Sequence, residues 1–334
     1  MTATFAADVT LAQLNDRLAQ HGQWLPVDGD PALPLGVLVL RNSTGPLRLG
    51  FGGWRDLLLG AQFTDGRGSL ITVGGRVVKN VAGYDLTKFL VGSFGSFGTP
   101  VTLSTRTYRL PAGMLVIELP PNSVNLNELL VSSLKPQYAL RTRGSAWLGY
   151  FGDEATLAHH RVTLPTLGGE LRERTVDQDG AWRASLWRFA TAGGAFRAVV
   201  PPSRLEELLR MLPHDDWCAD LAFGVVVGRL HDAVALHEAA GRLGGSCVGF
   251  DDAGRPRVLV AAGHASDYVL GGVSDSASSP ASDGASGGAS RPASGGASGS
   301  ASDNEPGAAA SILARLKQQF DPDGVLPALP PGAS

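Results

Sequence analysis

The sequence predicts an α+β protein built in two successive parts, and three observations carry that prediction. From Ile71 to Gly98 two glycine-rich loops flank one short helical segment, a pattern in which backbone must come close to something. Beyond Met114, short apolar strand-like runs alternate with amphipathic helical periodicities, which suggests a sheet covered by helices on one face. After residue 270 a Ser/Ala/Gly-rich run breaks the pattern, and helical spacing returns at Ile312, Leu313, Leu316 and Phe320.

Composition bounds the rest. At 334 residues and 43% hydrophobic content the chain is large enough for two cores. A net charge of −3 leaves no electrostatic footprint for nucleic acid. The opening MTATFAADVTLAQL lacks a basic region followed by an apolar run, and no uncharged apolar stretch reaches membrane-spanning length. Cys218 and Cys247 stand alone, without CxxC or histidine-rich company, so neither zinc nor an iron–sulfur cluster is supported and a reducing cytoplasm is the expectation. His159 and His160 are adjacent, the wrong spacing for one helical face, and read as surface residues.

Taken in order, Thr10 and Gln13 form a capping-box pair ahead of a helix whose face is Leu11, Leu14 and Leu18, ending at Gly22. Leu35 to Leu40 is an apolar run short enough for a buried strand, and Asn42 to Gly45 a polar turn. Arg55 and Asp56 read as a structural ion pair. Asp65-Gly66-Arg67-Gly68 has hairpin chemistry, and Val101, Leu103 and Thr105 alternate as a half-buried strand. Leu86, Phe89 and Leu90 give a helix stopping at Gly92. In the second part, Asn125 with Glu128 and Ser203 with Glu206 are cap pairs. Strands are expected at 146–151, 182–189, 196–200, 223–227 and 258–261, and a helix through Val234, Leu236 and Ala240.

Lys79-Asn80, Gly83-Tyr84-Asp85-Leu86 and the run Gly92-Ser93-Phe94-Gly95-Ser96-Phe97-Gly98 stand at close spacing. Together they resemble the FAD-binding core of the glycolate oxidase flavoprotein subunits, within the vanillyl-alcohol-oxidase, or PCMH-type, flavoenzymes. Asn42, Gly45 and Pro46 match a further segment of that family and Gly36 keeps its first glycine, whereas Val37 and Leu40 replace small residues. Phe320-Asp321-Pro322 and Gly324-Val325 match its terminal segment, with Pro327 to Pro330 in place of an Asn-Pro-Gly ending.

The resemblance implies a PCMH-type FAD-binding domain over 1–111, followed by a smaller α+β cap domain (antiparallel sheet plus helices) over 112–270. A disordered linker at 271–310 and a helix and tail at 311–334 returning to the core complete the expected order. The family segment that precedes Thr10, with its own pyrophosphate loop, is missing from this sequence, so weak retention of FAD is expected. The cofactor-binding residues implied are Gly36, Asn42, Gly45, Lys79, Asn80, Gly83, Tyr84, Asp85, Gly92, Ser93, Gly95 and Gly98. Backbone N–H groups around Gly92, Ser93, Gly95 and Gly98 would suit the diphosphate, and Lys79 the flavin edge. The implied reaction is hydride transfer from C2 of glycolate or a similar 2-hydroxy acid to the flavin. The implied partners are a larger flavoprotein subunit and an iron–sulfur subunit, with no direct membrane span and at most peripheral attachment through them. Where a Gly-Gly-His is expected the chain reads Gly244-Gly245-Ser246, and serine cannot abstract a proton unaided near neutral pH, so no catalytic residue is assigned. Two other readings stand beside this one: a flavin-fold structural subunit without turnover, and a stand-alone FAD-linked oxidase of another substrate.

Overall fold

A computed structural model describes residues 1–75, 86–187, 195–212, 216–229, 233–250, 256–258 and 307–328. The first part runs β1 (Thr2–Ala6), α1 (Leu11–Ala19), β2 (Gln23–Trp24), α2 (Leu35–Leu40), α3 (Arg48–Phe51) and α4 (Trp54–Leu57). It continues through β3 (Leu58–Thr64), β4 (Leu70–Gly74), α5 (Thr87–Leu90), β5 (Thr99–Arg106) and β6 (Tyr108–Arg109). Four of these strands form an antiparallel sheet in the order β1-β5-β3-β4. Both halves of the expected capping box are made, Gln13 N–H donating to Thr10 Oγ1 at 3.2 Å and Thr10 N–H to Gln13 Oε1 at 3.1 Å. Leu11, Leu14 and Leu18 then face the core with Leu35, Leu38 and Val39.

The run at 35–40 is a helix, not a strand. Apolar residues at 35, 38 and 39 fit one helical face as well as a strand interior, and Pro34 presets the backbone at the helix start. Gly36 lets this helix lie against β1's exit: a Cβ there would sit 3.0 Å from the Ala7 carbonyl oxygen and 3.3 Å from Pro100. Asp56 forms no ion pair with Arg55 among the described residues; it accepts the Gly53 amide at 2.9 Å and caps α4. Behind it Trp54 is fully buried and donates its indole N–H to the Ser43 carbonyl at 2.8 Å.

The second part follows as β7 (Gly113–Leu119), α6 (Leu126–Leu130), β8 (Tyr138–Arg141), β9 (Ala146–Gly152), α7 (Glu154–Thr163), β10 (Glu170–Arg174) and α8 (Val176–Trp187). Then come β11 (Ala195–Val199), α9 (Leu205–Arg210), β12 (Trp217–Asp220), β13 (Val225–Arg229), α10 (Ala233–Arg242), β14 (Ser246–Phe250), β15 (Pro256–Val258) and α11 (Gly307–Phe320). Nine of these strands make one antiparallel sheet, β10-β7-β9-β8-β12-β13-β11-β14-β15. Residues 182–187 belong to helix α8, not to a strand; residues 188 and 189 lie outside the described residues. Thr175 and Gln178 form a capping box that starts this helix early.

Helices cover both faces of the sheet, not one. Alternate strand residues such as Leu115, Ile117, Ala139, Leu148 and Tyr150 pack against α6 and α7, and Phe196, Ala198, Ala219 and Val226 against α9 and α10. The intervening residues, Met114, Val116, Tyr138, Leu140, Cys218, Val225 and Val227, meet Trp24, Leu47, Phe51 and Tyr108 of the first part, together with α8. That shared face is the seam between the two parts. Helix α11 returns to the first sheet, where the Phe320 ring packs tilted against Phe63 and edge-to-face with Phe97, and its carbonyl accepts the Gly66 amide.

Candidate functional site

Among the expected cofactor residues, Lys79, Asn80, Gly83, Tyr84 and Asp85 lie outside the described residues. The structure brings part of the remainder together. Gly92 N–H donates to Val39 O at 3.1 Å and Phe94 N–H to Leu40 O at 2.9 Å, so the loop after α5 is hydrogen-bonded along the end of α2. Asn42 sits there in the left-handed region, at φ 48°, and a Cβ on Gly92 would be 3.4 Å from its Cβ. Gly92 and Gly95, at φ 81° and 84°, adopt turns that other residues avoid. Gly45 stands apart, packed against Asp28.

The amides in this loop are not bare. Ser93 N–H donates to Leu90 O, Gly95 N–H to Ser93 Oγ at 3.3 Å, Ser96 N–H to Ser93 O and Gly98 N–H to Gly95 O. The chain's own tail closes the outside: Pro327 is 3.6 Å from where a Cβ on Gly95 would lie, and Ser96 Oγ donates to Ala328 O at 2.6 Å. A diphosphate needs free donors, so the described residues of this loop do not by themselves form its cradle. What they offer is a hydrogen-bonded edge with Asn42 exposed on it.

A second constellation, not anticipated from the sequence, lies on the seam. Strand alternation puts Phe196 and Ala198 under the helices, so Arg197 faces the first part; by the same count Cys218 and Asp220 share that face. Arg48 reaches toward them from α3, its guanidinium 4.3 Å above the Phe223 ring. Neither arginine has an acidic side chain within ion-pairing distance among the described residues. Burial pushes the Asp220 carboxyl up to about 7, against the Ala222 and Phe223 amides and the Arg48 and Arg197 charges, which pull it down. Burial and then Arg48 lower Arg197, while Asp220 acts the other way. Two guanidiniums thus act on one buried carboxyl on this face, and a guanidinium without an acidic partner suits a carboxylate or other small anion. Ser246 lies on the same sheet face, pairing with Val199, two positions along β11 from Arg197. The signal in the sequence was an arginine inside an otherwise apolar strand, AFRAVV.

The seam is locked by a separate buried network. Arg183 of α8 pairs with Asp28 of the first part and donates to Asp179 at 2.6 Å; Tyr138 Oη donates to Asp179 at 2.7 Å. Leu47 N–H donates to the other Asp28 oxygen at 2.6 Å, which ties the turn before Arg48 to the same lock.

The fold is shared with a solved structure of an alkyldihydroxyacetonephosphate synthase, which matches with a TM-score of 0.55 over 74% of this chain and 60% of that one, at 14% identity. In sequence, the chain is 34% identical over 218 residues to glycolate oxidase subunit GlcE of Escherichia coli K12, covering 61% of this chain and 62% of that protein. It is 32% identical over 119 residues to a D-lactate dehydrogenase of Archaeoglobus fulgidus, covering 35% of this chain and 27% of that enzyme. No family model matches. The chain therefore spans less than two thirds of the length of the curated relatives it matches. Among the described residues, no helix is long and apolar enough to cross a membrane.

Proposed function

We propose that this chain is the FAD-binding redox subunit of a glycolate-oxidase-like assembly, acting on glycolate or a similar small 2-hydroxy acid. The observation that carries the reading is the Arg48–Arg197 pair facing Asp220 on the seam, in a chain whose relatives are named for oxidising glycolate and D-lactate. Both of those substrates are carboxylates with a hydroxyl on the adjacent carbon. Arg197 and Arg48 would receive the carboxylate and fix its orientation, and the apolar seam around Val225, Val227 and Leu47 would exclude water. FAD supplies the two-electron chemistry when bound. Lys79, Asn80, Gly83, Tyr84 and Asp85 are assigned to it from the sequence resemblance, as are Asn42 and the Gly92–Gly98 loop. A larger flavoprotein subunit and an iron–sulfur subunit are the partners that reading implies.

A second reading, a flavin-fold structural subunit without turnover, is favoured by one observation: the amides expected to hold the diphosphate are committed within the protein. Purification of the assembly from its native source separates the two. The first reading expects glycolate-dependent dye reduction that needs at least a hundredfold more glycolate on Arg197→Met in this chain. Unchanged turnover in that variant assembly supports the structural reading.

A further inference from the structure

Asp220 is the acid of the seam constellation, and it is sealed from water at 2% exposure. Its carboxyl takes the Ala222 amide at 2.9 Å and its carbonyl the Gly224 amide at 3.1 Å, so both bonds close the turn from Asp220 to Gly224. That turn touches the support of each arginine. Its Phe223 ring lies 4.3 Å beneath the Arg48 guanidinium, and its Gly224 carbonyl accepts the amide of Val200, just beyond Arg197 in the chain, at 2.9 Å. Arg48 is exposed and Arg197 half-buried, so both keep surface that a solute can reach, whereas Asp220 does not. Among the described residues, the other charges nearby are committed or point elsewhere. Asp179 and Arg183 of α8 pair with each other, and Arg183 with Asp28. Arg141 of β8 shares the opposite sheet face with Ala219 and pairs with Glu206. Cys218 shares the face of Asp220, but burial and then Asp220 raise its thiol well above its ordinary value, so it stays uncharged. β13 and α8 add Val225, Val227, Trp182, Leu186 and Trp187, which do not titrate. Asp220, Arg48 and Arg197 are left to answer one another.

A carboxylate arriving at Arg197 and Arg48 is a second acid drawing on the same guanidiniums. Two carboxylates that share a site do not both ionise freely, and the one sealed from water carries the larger cost of charge. We propose that Asp220 takes up a proton when a small carboxylate binds to Arg197 and Arg48, and returns it when the ligand leaves. This holds only if those two arginines are the carboxylate site read above. Burial pushes the Asp220 carboxyl up to about 7, which puts the exchange near neutral pH. Below that pH Asp220 is already neutral, the arginines are open to the ligand, and no proton need move. Above it Asp220 is ionised, competes for the guanidiniums and must be protonated as the ligand enters, so affinity falls as pH rises.

Calorimetric titration of the full chain with glycolate, without flavin so that nothing is oxidised, tests the coupling in pairs of buffers that differ in protonation enthalpy. Between about pH 6 and about pH 8.5 binding is expected to weaken about tenfold, with net proton uptake that peaks between those values. Asp220→Asn keeps the shape of the side chain and an acceptor for the Ala222 amide. It should bind glycolate at the higher pH about as tightly as the parent does at the lower, with no proton uptake. Arg197→Met should lose binding at every pH. Parent affinity that does not change with pH, or proton uptake that persists in Asp220→Asn, would overturn the coupling and leave the arginine site standing. Absence of saturable binding in the parent, or binding that survives Arg197→Met, would overturn the arginine site and the coupling with it.

Discussion

Arg183 and Asp28 join the two parts of the chain through a buried ion pair, with the Arg183 side chain only 4% exposed and Asp28 12%. Asp179 and Tyr138 complete the network from the second part. Removing the arginine strands two carboxylates in the seam. Arg183→Met is therefore expected to cost about 3–5 kcal/mol in denaturant unfolding. Asp28→Asn added to it should restore part of that loss, since one of the stranded charges is gone. A loss below about 1 kcal/mol in the single variant would show that the lock is not coupled to stability.

Asp220 sets a pH dependence with a definite sign. Its folded pKa of about 7 lies above the ordinary carboxyl value near 3.9, so the folded state holds the proton more tightly than the unfolded state does. The contribution is present below about pH 4 and lost as pH rises through about 7, with a slope bounded by about 1.4 kcal/mol per pH unit. Asp220→Asn should flatten the stability profile across that window and gain relative to the parent at pH 8. Parallel profiles for the two proteins would contradict the assignment.

The capping box at Thr10 and Gln13 offers a local test of the first core. Thr10→Ala should cost about 1 kcal/mol in chemical unfolding, and Thr10→Ser much less, because the serine oxygen can replace the lost acceptor.

FAD should bind the isolated chain weakly. The amides at 92, 93, 95 and 98 are already bonded, and the loss of any three of these four donors, at about 1.5 kcal/mol each, amounts to roughly a thousandfold in affinity. Lys79→Ala should weaken binding further in a flavin fluorescence titration, whereas Lys135→Ala should not. A stoichiometric yellow protein that survives purification would show that donors outside this loop suffice.

What the sequence made legible was local. The cap at Thr10, the hairpin around Asp65 and the glycine stops at Gly92 and Gly95 rest on neighbours within a few residues, and they form as expected. Two elements were misjudged because periodicity alone was ambiguous. The run at 35–40 suits a helix or a strand equally, and 182–187 joined a helix begun upstream by Thr175. The glycine loop was visible, but what fills it was not: its amides turn inward and residues 327 and 328 arrive from over two hundred positions away. The arginine pair was hidden for a similar reason. Only the pairing of β11 with β13 and β14 fixes which face Arg197 takes, and only α3 brings Arg48 to it.

The proposed function requires a 2-hydroxy acid held at the seam by Arg197 and Arg48 within reach of a bound flavin. Anaerobic mixing of the FAD-loaded assembly with glycolate, followed through the loss of oxidised-flavin absorbance, measures this most directly. The parent should bleach in a single turnover, while Arg197→Met should need at least a hundredfold more glycolate for the same rate, with FAD content unchanged. Equal dependence on glycolate in both proteins, at equal flavin loading, would place the substrate elsewhere and contradict the claim.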